Sequence, residues 1–158
     1  LIEFDKRGKK NKIKLTYSGS EDYFYIPENL YLIGTMNTAD RSLIIVDYAL
    51  RRRFAFIKMT PKYNSKFSDF LAAKGVSAGL IKDITNKMIE LNTEIREDES
   101  LGDGFEIGHS YFCGFKKAIM KEDKWFESIL NYEIIPMLNE YWFDEPERVE
   151  ELTSIIRN

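Results

Sequence analysis

Polar and apolar positions in residues 1–60 follow a strand-like pattern. Residues 12–17 (KIKLTY) alternate between polar and apolar side chains, and residues 23–27 (YFYIP) form an aromatic run after the turn-forming segment SGSED. This pattern predicts a β-hairpin over residues 12–26. Residues 30–36 (LYLIGTM) are apolar on both faces, so we expect a central strand covered by helices. Residues 54–59 (FAFIKM) favour one further strand.

Apolar positions after Pro61 follow a helical period instead. Residues 66–75 have this period and end at a glycine, and residues 123–143 have it with Pro136 in the middle, which must kink or break the helix. Pro146 is placed in the first turn of a last helix. The clearest stripe contains Leu80, Ile81, Ile84, Met88, Leu91 and Ile95. We therefore predict an α/β domain over residues 1–60 and an α-helical domain over residues 61–158.

Composition narrows the class of protein. The chain has 158 residues, of which 44% are hydrophobic and 31% are charged, as is typical of globular proteins. The formal net charge of −3 disfavours bulk binding to nucleic acid, which relies on neutralising phosphates. One cysteine fits a reducing compartment, so we expect a cytoplasmic protein. No apolar run approaches the roughly 20 residues of a membrane span. Because the chain does not start with methionine, we expect it to be part of a longer protein.

Common signatures of phosphate and metal sites are weak or missing in the sequence. There is no G-x-x-x-x-G-K-[ST] phosphate loop, and GDGFEIG (residues 102–108) has neither that loop's lysine nor a preceding strand. A single histidine and a single cysteine argue against a zinc site, and we predict no metal site. His109 and Cys113 are four residues apart, which allows a thiol–imidazole pair on one helix face. A purely structural cysteine is the alternative.

A polar tetrapeptide, Asn37-Thr38-Ala39-Asp40, follows the strand predicted at residues 30–36. An amide at the carboxyl edge of an α/β sheet can hold a water in line for attack on a phosphoryl group, and Asn37 is placed for that task. The alternative is a simple turn, in which Asp40 or Ser42 caps the helix that follows. Composition alone leaves both interpretations open.

Three consecutive arginines, Arg51, Arg52 and Arg53, end the helix predicted after this tetrapeptide. Cations at a helix C-terminus complement the macrodipole, which is one explanation for them. Three in a row cannot all face one side of a helix, so at least one guanidinium must point away from the sheet or towards another molecule. Such a group can neutralise charge on a neighbouring subunit's triphosphate, a role worth about 10³–10⁵ in rate in other NTPases.

These segments together resemble one known family. NLYLIGTMNTADRSLIIVDYALRRRF (residues 29–54), with LIEFDKRG (residues 1–8) and IGHSYFC (residues 107–113), is similar to the AAA+ NTPase domain of McrB-type proteins. These are the GTP-dependent motor subunits of modified-cytosine restriction systems. The resemblance implies an α/β fold: a partial AAA+ P-loop NTPase core with the late strands, the hairpin and the finger helix, followed by an α-helical lid.

The resemblance also implies roles for individual residues. Asn37 matches the sensor-one asparagine that orients the attacking water, and Arg52 and Arg53 match the finger that reaches the next subunit's nucleotide. Arg51 is interpreted as structural. Further nucleotide contacts are implied at Thr38, Asp40, Gly108, His109 and Ser110, and subunit-interface contacts at Arg41 and Asp47. His109 stands where other AAA+ proteins place a sensor-two arginine.

The function implied by the resemblance is that of a ring-forming NTPase, with a hexamer expected, which drives a McrC-like endonuclease subunit. The intact parent would use GTP or ATP with Mg²⁺ and would meet DNA through other parts of the protein, without a membrane. The segment in hand is expected to be inactive and to bind no nucleotide by itself, because it lacks a phosphate loop. The alternative is a non-enzymatic, degenerate AAA+-like scaffold or interaction module.

Overall fold

The computed structural model describes residues 3–17, 19, 22–37, 39 and 48–158. The chain divides into two compact units, Leu1–Ile57 and Lys58–Asn158. The first unit contains a two-stranded sheet and short helical turns, and the second is built from α-helices. Mostly helical structure with one small sheet is thus the architecture of the described part of the chain.

The first unit contains the predicted hairpin in a short form. Strands β1 (Ile13–Lys14) and β2 (Tyr23–Phe24) are antiparallel, with Ile13 opposite Phe24 and Lys14 opposite Tyr23. Two 3-10 turns, Phe4–Lys6 and Lys9–Asn11, precede it. Helix α1 is described over Tyr48–Arg51. The hairpin prediction is confirmed, although only two residues of each strand pair.

The strands predicted at residues 30–36 and 54–59 are absent, so that part of the prediction is wrong. Neither segment has regular secondary structure. Their apolar side chains lie open to solvent: Ile33 is 92% exposed, Ile57 86% and Met59 92%. A strand is stabilised by ladder hydrogen bonds to a neighbour, and the described residues offer these two segments none. An AAA+ core sheet is therefore not formed within the described part of the first unit.

The second unit begins with two helices joined by a tight turn. Helix α2 (Ser65–Ala73) is capped by Asn64, whose Oδ1 accepts from the backbone N–H groups of Lys66 at 3.1 Å and Phe67 at 3.3 Å. The helix ends at Ala73, and Gly75, two residues later, has a φ of 89° in the left-handed region. The glycine stop predicted from the sequence is therefore confirmed, because a left-handed C-terminal position favours glycine. Helix α3 (Ala78–Glu97) follows and is capped by Ser77.

Pro136 lies within the last long apolar segment, and the chain remains helical on both sides of it. Helix α4 (Glu122–Ile129) continues through a π-helical turn (Leu130–Ile134) into α5 (Ile135–Tyr141), with the proline in the first turn of α5. Proline has no N–H to donate, and a π-turn accommodates the lost bond without ending the helical path. Helix α6 (Pro146–Arg157) completes the unit and has its proline in the first turn, as predicted.

The core of the second unit follows the sequence stripe. Ile81, Ile84, Met88, Leu91 and Ile95 on α3 are buried, and Leu80 is half-buried. Helices α2 and α6 pack against α3, and α5 packs against α6. The connection between α3 and α4 contains two further 3-10 turns, Asp103–Phe105 and His109–Gly114. Within the part of the chain that the structure describes, no helix is long and apolar enough to cross a membrane.

Candidate functional site

A short segment between α3 and α4, residues 105–109 (Phe-Glu-Ile-Gly-His, called here the FEIGH segment), is held at nearly every residue. Asn92 on α3 is only 3% exposed and makes two hydrogen bonds with Ile107. Its Nδ2 donates to the Ile107 carbonyl oxygen at 3.0 Å, and its Oδ1 accepts from the Ile107 N–H at 2.6 Å. The amide therefore pairs with this backbone as a neighbouring strand would. Both the nitrogen and the oxygen of the buried amide therefore have a hydrogen-bond partner.

Two tyrosines add hydrogen bonds to the same segment. The Tyr63 hydroxyl donates to the Ile107 carbonyl oxygen at 3.1 Å, and the Tyr141 hydroxyl donates to the Phe105 carbonyl oxygen at 3.2 Å. Burial raises the pKa of Tyr63 well above its ordinary value, and burial also raises the pKa of Tyr141 to about 12. Both phenols therefore keep their protons through the neutral range and remain donors.

Glu106 is held by an ion pair. Its carboxylate accepts from Arg96 Nε at 2.7 Å and Nη2 at 2.6 Å. The Glu106 side chain is 5% exposed and that of Arg96 is 53% exposed, so the pair lies at the edge of the helical unit. A buried carboxylate without such a partner would be costly. This contact therefore fixes the residue that precedes Ile107.

The imidazole of His109 has a defined hydrogen-bonding state when neutral. Its Nδ1 accepts from the backbone N–H of Lys62 at 3.1 Å. The rings of Tyr63 and Phe67 stand edge-on to it, with centroids 6.3 Å and 6.2 Å away. Because Nδ1 is the acceptor, the hydrogen of the neutral ring is on Nε2. Among the described residues Nε2 has no hydrogen-bond partner, which leaves a donor for another molecule.

Cys113 does not pair with this imidazole. Its thiol donates to the His109 carbonyl oxygen at 3.5 Å, one turn back along the 3-10 helix. The imidazole acceptor is already used by Lys62. The contacts therefore favour the structural alternative for the cysteine over a thiol–imidazole nucleophile.

Gly108 lies close to the side chain of Ser110. Its φ of −75° suits any residue, so the backbone does not require glycine here. A Cβ at this position would meet only Ser110, with Oγ at 3.3 Å. Ser110 itself is exposed. A side chain at position 108 would therefore need a small shift of the Ser110 hydroxyl but no unusual backbone conformation.

The two candidate finger arginines differ in their contacts. Two nitrogens of the Arg53 guanidinium, Nε and Nη2, lie 2.8 Å and 2.7 Å from the same carboxylate oxygen of Glu3. The third nitrogen, Nη1, donates to the Ala49 carbonyl oxygen at 3.2 Å. The hydrogen bond from Arg53 to Glu3, reinforced by the opposite charge, lowers the pKa of Glu3 below its ordinary value. Arg52 instead lies 5.7 Å from the centroid of the Tyr48 ring.

An open cavity of about 610 Å³ lies beside these arginines within the first unit. Its lining combines two guanidinium groups with two carboxylates: Glu3, Phe4, Asp5, Ala49, Arg52 and Arg53. The lining of this cavity therefore contains carboxylates as well as arginines, and one of them, Glu3, is paired with Arg53.

Asn37 makes a local turn contact. Its Oδ1 accepts from the Ala39 N–H at 3.1 Å, as the turn interpretation of the tetrapeptide expects. The remaining predicted positions of this region lie outside the described residues, so their roles stay predictions: Thr38, Asp40, Arg41, Ser42 and Asp47. Within the described ranges no group of three His, Cys, Asp or Glu side chains could hold a metal ion.

Comparison with known proteins bears on the helical unit most directly. Residues 83–150 match the family described as McrB, alpha-helical lid domain. This part of the second unit is therefore similar to a McrB-type lid. Over 158 aligned residues, 98% of this chain, the sequence is 46% identical to the type IV methyl-directed restriction enzyme EcoKMcrB subunit of Escherichia coli (strain K12). The chain spans about a third of that McrB subunit's length, 34%.

Sequence reasoning missed the residues that hold the FEIGH segment. Asn92 has a readable signal, because it interrupts the apolar stripe of α3 between Leu91 and Ile95. A polar residue on a buried helix face needs a partner, so it marks a contact with some other backbone. Tyr63 had no such signal, since aromatic side chains are common in cores.

Proposed function

We propose that this chain is the later part of the nucleotide-hydrolysing module of a McrB-type restriction subunit. In this proposal Asn37 positions the attacking water, Arg52 or Arg53 acts on the nucleotide of the next subunit, and the lid contacts nucleotide through Gly108, His109 and Ser110. The observation that carries the proposal is the 46% identity to a restriction-enzyme subunit, which extends over 98% of the chain and so includes both regions.

The lid would contact nucleotide through a neutral donor. His109 has its Nδ1 engaged by the Lys62 N–H, so Nε2 is the atom able to donate to a phosphate or sugar oxygen. A sensor-two arginine would offer a permanent charge and a planar fork instead. We therefore expect the lid of this protein to contribute orientation more than charge neutralisation.

The arginines would supply the charge. Arg53 is bound to Glu3 through a pair whose side chains are 39% and 37% exposed, and such exposed pairs exchange partners readily. Arg52 makes no ion pair with a described residue and needs to leave only a ring contact. Either guanidinium is thus able to turn towards a neighbour's triphosphate, and Arg52 has fewer contacts to break.

The intact parent would bind GTP or ATP with Mg²⁺, with its phosphate loop and acidic metal-binding motif in other parts of the protein. It would assemble as a ring, with a hexamer expected, because an arginine acting in trans needs a neighbouring nucleotide. A McrC-like endonuclease would be the partner driven by this ring. DNA would be met through further parts of the parent.

A non-enzymatic scaffold is the second candidate, and specific contacts favour it. Asn37 accepts a hydrogen bond from its own turn, and Arg53 is bound to Glu3 and to the Ala49 carbonyl. Both groups thus already have structural roles within the first unit. A scaffold would need these contacts to persist, whereas a motor would exchange them during turnover.

A mixing experiment separates the two candidates. One variant of the full-length parent carries Arg52→Ala and Arg53→Ala, and a second is defective in its own phosphate loop. Each is inactive alone if the parent is a motor. In a mixed ring, the loop-defective subunit donates intact arginines to the intact pocket of the finger variant, so hydrolysis should partly return.

Arg51→Ala is the matched control, because Arg51 ends the same helix, is exposed, and is interpreted as structural. The Arg51→Ala variant should hydrolyse nucleotide without being mixed with another variant. If mixed rings assemble, as checked by light scattering, and hydrolyse nothing, the trans role is wrong and the scaffold gains support. A wild-type parent that hydrolyses neither GTP nor ATP would also reject the motor.

A further inference from the structure

We propose that Asn92 is a positioning residue for nucleotide binding, which it controls by fixing Ile107 and thereby the placement of Gly108, His109 and Ser110. The inference rests on the proposed function, since it assumes that these three residues meet nucleotide. Asn92 itself does not touch the ligand. Its effect is carried by two hydrogen bonds, 3.0 Å and 2.6 Å long, to the backbone of Ile107.

The geometry makes Ile107 the fixed point of the segment. Its side chain is 1% exposed, its N–H and carbonyl are both paired with Asn92, and its carbonyl also accepts from Tyr63. Gly108 follows directly, and its carbonyl oxygen accepts from the Tyr111 N–H at 3.4 Å. A change in the Ile107 peptide is therefore passed to Gly108 and to the imidazole of His109.

Asn92 is not required by the helix that carries it. It lies on the buried face of α3 between Leu91 and Ile95, where an apolar side chain would suit the packing. Asparagine has lower helix propensity than leucine or methionine, and a buried amide is unfavourable unless it is paired. The hydrogen bonds that compensate it all go to one residue of the FEIGH segment. The polar atoms of Asn92 therefore bind the FEIGH segment rather than stabilise the helix that contains them.

Positioning and simple structural support predict different kinetics in the full-length parent. A binding segment held in the wrong place weakens nucleotide binding in every folded molecule, which raises KM. A loss of stability removes active molecules and lowers the apparent kcat without changing KM. The ratio of the two effects therefore distinguishes the roles.

The test uses Asn92→Ser, which removes both bonds, and Asn92→Asp, which keeps an acceptor but loses the donor. We expect KM for GTP or ATP to rise about 10- to 100-fold in Asn92→Ser, the scale of a small misplacement of a binding group, with kcat changed less than about threefold. Asn92→Asp places a buried carboxylate oxygen against the Ile107 carbonyl oxygen, so its KM should rise at least as much as that of Asn92→Ser. Amide hydrogen exchange at residues 107–110 should accelerate in both variants.

Thr85→Val is the matched control on the same helix. The Thr85 hydroxyl is buried and has no hydrogen-bond partner in the described structure, so valine removes a polar atom without removing a bond. KM and exchange at residues 107–110 should be unchanged in this variant. A parallel rise in its KM would show that the α3 packing in general, rather than the Asn92 clamp, sets nucleotide affinity.

Each outcome decides the matter. An unchanged KM in Asn92→Ser with hydrolysis intact overturns the inference and leaves the proposed function standing. A fall in kcat alone, or failure of both Asn92 variants to fold, assigns Asn92 a structural role and also overturns it. A wild-type parent without hydrolysis rejects the proposed function instead, which keeps the two failures distinct.

Discussion

Asp98 follows the last residue of α3 and begins the connection to the FEIGH segment. Replacing it even by its isostere asparagine should lower the stability of the helical unit. One carboxylate oxygen, Oδ1, accepts from the backbone N–H groups of Ser100 at 2.7 Å and Leu101 at 3.2 Å, and from the Ser100 hydroxyl at 2.5 Å. The other, Oδ2, accepts from Trp142 Nε1 at 2.8 Å. Both oxygens therefore face donors, and the indole belongs to a side chain only 2% exposed.

Asp98→Asn can satisfy only one of these two sets. If its oxygen faces the turn, its NH₂ meets the indole N–H, and a buried donor is left without an acceptor. Such a loss costs about 1–3 kcal/mol. In a helical unit of roughly 100 residues, each kcal/mol lowers Tm by about 4–8 °C, so we expect a fall of at least about 4 °C at pH 7. The alternative orientation gives up the three turn bonds and should cost a similar amount.

Tryptophan fluorescence during thermal unfolding is the suitable assay. The chain has two tryptophans, Trp125 and Trp142, and both belong to the helical unit. Circular dichroism at 222 nm provides a second probe. A double-mutant cycle with Trp142→Phe isolates the pair, because phenylalanine removes the indole donor, and the cost of Asp98→Asn should shrink in that background.

The pH dependence gives a further check on Asp98. Its hydrogen bond from the Ser100 hydroxyl, with those from Trp142 and the turn, lowers its pKa below the ordinary 3.8. A depressed carboxylate pKa contributes stability that is present above the unfolded value and is lost as pH falls through the folded value. The Tm difference between wild type and Asp98→Asn should therefore narrow below pH 3.8. An equal Tm at pH 7, or a difference that persists in acid, would refute the reasoning.

Three other outcomes can be measured separately. Asn37→Ala in the full-length parent should lower turnover by about 10²–10³ with nucleotide affinity nearly unchanged, and a loss of affinity alone would reject the water-positioning role. Arg52→Lys should restore only part of the hydrolysis lost in Arg52→Ala, because an ammonium lacks the planar fork that binds phosphate oxygens, and full rescue would argue against it. Gly75→Ala should destabilise the chain by about 1 kcal/mol because φ is 89° there, whereas Gly79→Ala, in α3 with open space around it, should not.

Helices were readable from the sequence because their hydrogen bonds are local. The stripe from Leu80 to Ile95, the glycine stop at Gly75 and the proline signals at Pro136 and Pro146 each marked a feature that the structure contains. Their amphipathic spacing also identified the faces that pack together. The π-turn was not predicted, since several local arrangements can accommodate one missing N–H, and neither were the 3-10 turns.

Strands could not be read in the same way, because a strand depends on a neighbour distant in sequence. Residues 30–36 have an apolar composition typical of a central strand, yet no ladder forms along them in the described structure. Side-chain pattern indicates that a segment is able to pair. It does not supply the second segment, and an unpaired β-favouring run has no reason to be regular.

The residues of the candidate site also fall into those indicated by the sequence and those shown only by the tertiary structure. The sequence by itself indicated His109 and the arginines, because those residue types carry recognisable chemistry. Only the tertiary structure brings Asn92 to Ile107, fifteen positions away, and the backbone of Lys62 to the imidazole of His109. Those contacts decide which nitrogen of His109 accepts and which residue fixes the FEIGH segment. They arise from how segments distant in sequence pack together, and a local pattern does not name the partner residue.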